Sequence, residues 1–428
     1  MKKVFIALLL MSLLAMPACS AKEEPAPESS QTDADPVELE LWIYDEFYSD
    51  GEFSPIQRVV DEFMDENPNV QVNIIPTPYG SSSYRDKFIQ AATGGAGPDI
   101  ILSDNIWVPQ LASMELIKPI DDMFADRRDE YFDGTIDAGS YKGQIYGVPF
   151  HVDVMVLFYN KTRFAEAGLD PNAPPTTWDE FRNDAIALTD EENGKYGFGG
   201  LFGWTGSFEW LPWLWQNGGS VLNEDQTKAV FNSQEGIEAT EFFLNLILKD
   251  KVVPDAAMSW KSWDELTAGF ASGTIGMCEG MNVMLSKLDK LDETFEWGVA
   301  VLPKQKEAAA TLGGGHFVIS NECENPELAY KLIEKITSAD NLDMMDAYSR
   351  LSARKDSGNQ KMAQEDERIA VFVQALEDAR PRPTIPEWST IDYDTIQPAF
   401  AKILWEGGDI EEEMNKAAEI VNSEVLSD

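Results

Sequence analysis

Between Val37 and Leu102 the hydrophobic period of the chain switches repeatedly, and that alternation constrains the fold more than any other feature. Val37-Glu-Leu-Glu-Leu-Trp-Ile-Tyr44 alternates apolar and polar residues as a half-buried strand does. Ile56 to Phe63 sets Val59, Val60 and Phe63 on one helical face and stops near Asn67-Pro68. Val70 to Ile74 is strand-like again, Tyr84 to Ala92 is helical up to Gly94-Gly95, and Asp99 to Leu102 forms a third strand. Such alternation requires βαβ units, a mainly parallel sheet and right-handed crossovers. Ligands of these sheets bind beyond the carboxyl ends of the strands. That rule selects Tyr44 and Asp45 after the first strand, and Asp104 and Asn105 after the third, with Trp107 just behind.

The N-terminus has a different chemistry. Lys2 and Lys3, an apolar run from Val4 to Leu14 and small residues before Cys19 make residues 1–18 a signal peptide. The apolar run is shorter than the roughly 20 residues that span a bilayer. Ala15-Met16-Pro17-Ala18-Cys19 resembles a lipobox, so Cys19 is expected to be lipidated and membrane-anchored, with an ordinary cleaved leader as the alternative. Residues 19–36 carry Glu, Pro, Ser, Ala and Asp without bulky apolar side chains, the composition of a flexible tether. Losing Lys2 and Lys3 with the leader moves the net charge from −42 to near −44. Such a surface repels nucleic acid and anionic headgroups, so no nucleic-acid partner is expected, and it suits a saline medium that screens self-repulsion. Cys278 and Cys323 are the cysteines left after Cys19, and with two histidines in the chain a zinc site is not expected. No metal or cofactor is expected. The folded remainder exceeds one hydrophobic core, so two lobes are expected. No internal repeat is visible.

Phe202 to Gly219, FGWTGSFEWLPWLWQNGG, gathers four tryptophans and two phenylalanines among glycines. A membrane segment is excluded by length, which leaves a core helix or a surface for flat ligands. A sugar ring offers a C–H face and a rim of hydroxyls, and is matched by aromatic plates fringed with carboxylates and amides. Trp213 and Trp215, on the helical stretch Leu211 to Asn217, are expected in the core, and Phe208 and Trp210 in a cleft.

The segments YKGQIYGVPF (141–150), LFYNKTRFAEAGLDPNAPPTTWDEF (157–181) and GPDIILSD (97–104) resemble the family 1 extracellular solute-binding proteins of ABC importers, the maltose-binding-protein-like group. QNGGSVLN, FASGTIGMCEG, WGVAVLPK and GGGHFVISNECENPELAYKLIEKITS extend the resemblance over residues 37–425 in order. It implies a two-lobed periplasmic-binding-protein α/β fold with a central mainly parallel sheet in each lobe and a multi-segment hinge. The expected division is 37–149 plus 298–340 for the N-terminal lobe and 150–297 plus 341–428 for the C-terminal lobe. Crossings are expected near 148–152, 295–300 and 338–350. Thr177 three residues before Glu180 forms a capping box, and Asp409 with Glu412 repeats the device before a last helix ending at Val425.

The resemblance implies a monomeric receptor for a sugar or oligosaccharide, working with ABC permease subunits, and no catalysis. It places a stacking ring at Phe208, a late aromatic contact at Trp388 and a hydroxyl-binding carboxylate at Asp153. His151 is expected on the opposite face of the extended segment, so that both would not touch one ligand. Glu279 and Asn282 fall at the second lobe's strand end, with Asn282 standing where the family often has an aromatic. Gly315, in Gly313-Gly314-Gly315, would let backbone amides approach a ligand, or serve as an ordinary hinge. Two other readings remain open: the same fold holding a polyamine or other cation by acidic and aromatic groups, and a secreted glycoside hydrolase using paired carboxylates.

Overall fold

The computed structural model describes residues 36–48, 54–78, 82–204, 207–291, 295–341, 344–345, 350–355 and 358–427. The expected leader, Cys19 and all but the end of the expected tether lie outside the described residues, as do residues 342–343 and 346–349 of the crossing expected near 338–350. Strands β1 (Val37–Tyr44), β2 (Val70–Thr77) and β3 (Ile100–Asp104) are joined by helices Pro55–Glu66 and Ser82–Thr93. β1 pairs in parallel with both neighbours, Val37 opposite Val70 and Leu41 opposite Ile100. The alternation along β1 buries Leu39, Leu41 and Ile43 completely, and Val59, Val60 and Phe63 of the first helix are buried as their spacing requires. The βαβ expectation holds for this segment.

A short hairpin of β4 (Ser140–Tyr141) and β5 (Gln144–Ile145) precedes β6 (Gly147–Val154), β7 (Val156–Asn160), β8 (Tyr196–Gly199), β9 (Ile275–Gly280) and β10 (Trp297–Ala300). The last strands are β11 (Ala310–Ile319), β12 (Leu351–Ser352) and β13 (Ala379–Arg380). Two main sheets result. The first runs β12-β6-β11-β3-β1-β2, with β13 beside β11, and the second runs β10-β7-β9-β8. Beyond β1 to β3 the expectation of mainly parallel sheets fails. β11 is antiparallel to β3 and β6, and in the second sheet only β8 and β9 run parallel.

The sheet boundaries also differ from the expected ones. All eight residues of β6 are buried in the first sheet, so the chain changes sheets at Met155, whose N–H donates to Thr311 O at 3.2 Å. β10 pairs with β7, which keeps residues 297–300 in the second sheet and delays the return to 310. β12 and β13 rejoin the first sheet although residues 341–428 were expected in the other lobe. The physical reason is local. β11 carries the three glycines on a strand long enough to pair along β3, β6 and β13 together, while β12 returns to the far edge of β6.

Caps behave as their sequence spacing requires. Thr177 and Glu180 form a reciprocal capping box on helix Trp178–Ala187, and Asp409 accepts from Glu412 N at 2.9 Å. The final helix, Ile410–Ile420, continues as a π turn to Val425. Cys278 and Cys323 are buried and free.

Candidate functional site

The carboxyl end of β1 is a Tyr44 ring 3% exposed, followed by a turn that projects Asp45 and Glu46 outward and buries Phe47. Arg350 joins this turn to β6. Its Nη2 donates to both Glu46 oxygens at 3.0 Å and its Nη1 to Asp153 Oδ1 at 2.8 Å. The guanidinium sits 5.9 Å from the Phe47 ring centre. Burial alone would raise the Asp153 carboxyl. The charge of Arg350, with hydrogen bonds from Arg350 and Asn282, outweighs it and holds Asp153 below the usual range.

His151 is a correction. Residues two apart on a strand share a face, and His151 Nδ1 lies 3.7 Å from Asp153 Oδ2 rather than on the other side. Burial pushes its ring down to about 3, so it is neutral at pH 7, and neither ring nitrogen has a hydrogen-bond partner. Gly315 lies between His151 on β6 and Asp104 on β3 in register. A Cβ there would stand 2.7 Å from His151 Nε2, so glycine is what lets this imidazole lie across the sheet.

A second node forms at the end of β3. Asp104 caps the following turn by accepting from Ile106 N at 3.2 Å. Arg382 Nη2 reaches Asn105 Oδ1 at 2.8 Å and Asp104 Oδ1 at 3.4 Å. The same guanidinium lies 5.2 Å from the ring centre of half-buried Phe208, which begins helix Ser207–Gln216 and meets Trp263 edge-on at 6.4 Å. Tyr393 completes this node. It lies on a π turn, Asp392–Ile396, and its ring is 54% exposed. Crowding at the hydroxyl raises its pKa, Asp392 and Asp104 add to the rise, and Arg382 and Arg85 oppose it.

Three further acids have raised carboxyls, buried Glu279 and Glu209 and half-buried Asp392. Glu279 on β9 is completely buried, and burial with the Glu209 charge raises its carboxyl well above the usual range, opposed by the Trp213 indole. Glu209 is pushed up to about 7 by burial, with Asp392 adding, against hydrogen bonds from its own backbone and from Leu201 N at 3.1 Å. Burial also raises Asp392, while Ser207, Gln397 and Arg382 oppose the rise.

The structure thus brings Asp153, His151, Asn282 and Gly315 together at one node, and Asp104, Asn105 and Phe208 at the other, with exposed Asp45 beside Glu46. Asn282 accepts from Val154 N at 3.4 Å across the seam between the sheets. Other expected contacts are corrected. Trp210 is fully buried, donates Nε1 to Thr240 Oγ1 at 3.1 Å and packs edge-on against Phe400 at 5.4 Å, which leaves no face for a ligand. Trp107 is 3% exposed and stacks on Tyr84 at 6.1 Å, as a cap on the sheet. Trp388 is 2% exposed, and Tyr44 packs edge-on against Tyr84 at 5.0 Å. Glu279 points into the second sheet's core rather than out of it. Sequence reading missed Arg350, Arg382, Glu46 and Tyr393. Only the aromatic residue in "TIDYDT" offered a signal, and the π turn that exposes it is not legible as a period.

Among the described residues no group of metal-ligating side chains could hold an ion, and no helix is long and apolar enough to cross a membrane.

Two α/β sheets crossed several times by one chain, with polar and aromatic groups converging where they meet, define a hinged solute-binding architecture. The profile of the bacterial extracellular solute-binding proteins matches residues 49–342, and the chain belongs to that family. The chain is 24% identical over 300 residues to the multiple sugar-binding protein of Streptococcus mutans, covering 66% of this chain and 68% of that one. It is 26% identical over 272 residues to the sn-glycerol-3-phosphate-binding periplasmic protein of Escherichia coli, covering 59% of this chain and 58% of that one. The crystal structure of an ABC transporter solute-binding protein from Thermotoga lettingae bound with α-D-tagatose superposes with a TM-score of 0.78 at 27% identity. That match covers 91% of this chain and 100% of the other. By their names, the proteins it is similar to bind solutes, and the family is extracellular.

Proposed function

We propose that this chain captures a neutral sugar or oligosaccharide between the two sheets and hands it to the permease of an ABC importer, held to the membrane by a lipid on Cys19. One observation carries the reading. Phe208, from the helix that follows the second sheet's β8, and exposed Tyr393 supply flat rings, with Asp104 and Asn105 at the end of β3 as hydrogen-bonding groups joined to Phe208 through Arg382. A ring stack with polar groups at its rim suits a carbohydrate. The names of the Streptococcus mutans and Thermotoga lettingae relatives point the same way.

Charge supports a neutral ligand over a cation. Arg350 offsets Glu46 and Asp153, and Arg382 offsets Asp104, so the acidic groups at the seam already have partners. A binding role also needs no reaction. Delivery follows if the closed form is the one that the ligand stabilises and the permease reads.

The test is a thermal-shift screen of mono- and oligosaccharides, sn-glycerol 3-phosphate and spermidine at low and high salt. A sugar at about 100 times its Kd should stabilise the fold by about 2.7 kcal/mol, nearly independently of salt. Stabilisation by spermidine alone, lost on adding salt, would overturn the reading.

A further inference from the structure

Each ring of the sugar reading is next in sequence to a carboxyl that this reading does not use. Phe208 precedes Glu209 on helix Ser207–Gln216, and Asp392 precedes Tyr393 on the π turn Asp392–Ile396. One amide ties the two elements, since Gln397 Nε2 donates to Ser207 Oγ and to Asp392 Oδ1, each at 3.4 Å. Glu279 on β9 completes the cluster. Glu209 links the other two electrostatically, repelling Glu279 and repelled by Asp392.

The cluster lacks the counter-charge that fixes Asp153. Glu209 is 3% exposed and Glu279 is completely buried. Glu209 Oε1 accepts from Leu201 N at 3.1 Å, whereas neither Glu279 oxygen has a hydrogen-bond partner of good geometry, nor has the neighbouring Trp213 Nε1. Arg382 is the cation that opposes charge here. It acts on Asp392, from a guanidinium hydrogen-bonded to Asn105 and Asp104. Burial and Glu279 raise the Cys278 thiol. Burial, Asp392 and Asp104 raise the Tyr393 hydroxyl, against Arg382 and Arg85. Buried carboxyls that repel one another without a cation between them keep a proton at a pH where an exposed one has lost it. For Glu209 that range extends up to about 7.

We infer that Glu209 is a positioning residue for solute capture: protonated, it lets helix Ser207–Gln216 and the π turn approach closely enough for Phe208 and Tyr393 to hold one ligand, and its ionisation separates them. The inference rests on the carbohydrate reading above, with these two rings as its plates. An ionised Glu209 faces the Asp392 charge across the gap between the two elements, and such repulsion is strong where water is scarce. Parting the elements admits water and relieves it. The bound form therefore holds the Glu209 proton more tightly than the free form, and by linkage protonation strengthens binding by the same factor. Capture takes up a proton from solution wherever free Glu209 is ionised and bound Glu209 is not.

The experiment is calorimetry on the chain with the sugar that gives the largest thermal shift, at pH 5.5, 7.0 and 8.5, in two buffers of different ionisation enthalpy. Affinity should be about tenfold higher at pH 5.5 than at pH 8.5, the effect of a one-unit difference in the Glu209 pKa between free and bound forms. The two buffers should give different heats above pH 7, the signature of proton uptake. Glu209→Gln keeps the acceptor for Leu201 N. It should bind within about twofold of the wild-type pH 5.5 affinity at all three pH values and take up no proton. Asp392→Asn should shrink the pH dependence without abolishing it. The wild-type heats decide the question even where a variant does not fold. A flat wild-type profile, or a Glu209→Gln profile that falls as the wild type does, overturns the positioning role and leaves the carbohydrate reading standing. Failure of every sugar at all three pH values overturns both.

Discussion

Asp153 and Glu279 are both buried carboxyls, on β6 and β9, and their pKa values are displaced in opposite directions. Asp153 has Arg350 at 2.8 Å and stays ionised. Glu279 has no cation beside it; burial, with the second carboxyl Glu209 adding, raises it well above the usual range. Burial disfavours charge at both sites, so the partner decides the outcome. The first is thus a fixed network of opposite charges, and the second is a group of acids, Glu279, Glu209 and Asp392, whose carboxyls are all raised by burial. The first node resists any change in its charges, whereas the second is sensitive to pH.

The largest effect should come from breaking the charged node. Arg350→Ala leaves Asp153 buried without its cation, a loss of about 3–5 kcal/mol in urea unfolding. Glu46 is 45% exposed and adds little of that. Adding Asp153→Asn should restore most of the loss, because the cost lies in the unpaired charge. A small effect of Arg350→Ala would show that the network is not what holds this end of the seam.

The acidic cluster should respond in the opposite sense. Glu209 has its pKa raised from 4.5 to about 7 by burial. A raised carboxyl contributes stability below its unfolded pKa and loses it as pH climbs through the folded value. Wild type and Glu209→Gln should therefore be about equally stable near pH 4.5, and by pH 8 the variant should lead by about 3 kcal/mol. Glutamine keeps the acceptor for Leu201 N. His151, lowered to about 3 by burial, and His316, lowered to about 4, pull against this trend, since each loses stability as pH falls below 6.5. The difference between wild type and variant isolates the Glu209 contribution. Parallel pH curves would remove the acidic cluster from the account.

Local signals carried what sequence alone revealed. The βαβ segment, the Thr177–Glu180 box and the burial of Trp213 follow from period and spacing within a few residues. The face of Trp210 did not, because helix Ser207–Gln216 is buried along nearly its whole length and no hydrophobic stripe distinguishes core from cleft. The ends of β1 and β3 were located, but their partners were not. Arg350 reaches Asp153 across 197 residues and Arg382 reaches Asn105 across 277, and no local pattern encodes such pairings. The mixed strand directions have the same origin, since β11 joins the first sheet only after the chain has built the second.

The smallest effect would sharpen the comparison at the aromatic node. Phe208 already has the Arg382 guanidinium over its ring, whereas the Tyr393 ring is 54% exposed and stands among Asp104, Arg382 and Arg85. An exposed ring contributes little to folding, so Tyr393→Ala should leave unfolding within about 0.5 kcal/mol of wild type. The same change should weaken sugar binding by about 1 kcal/mol, or roughly fivefold in Kd, through loss of the stacking plate. Tyr393→Phe should keep most of that affinity, which separates the ring's contribution from the hydroxyl's. If Tyr393→Ala binds sugar as wild type does while Phe208→Ala loses affinity, the working plate is Phe208, and Arg382 must swing off its ring as the ligand enters.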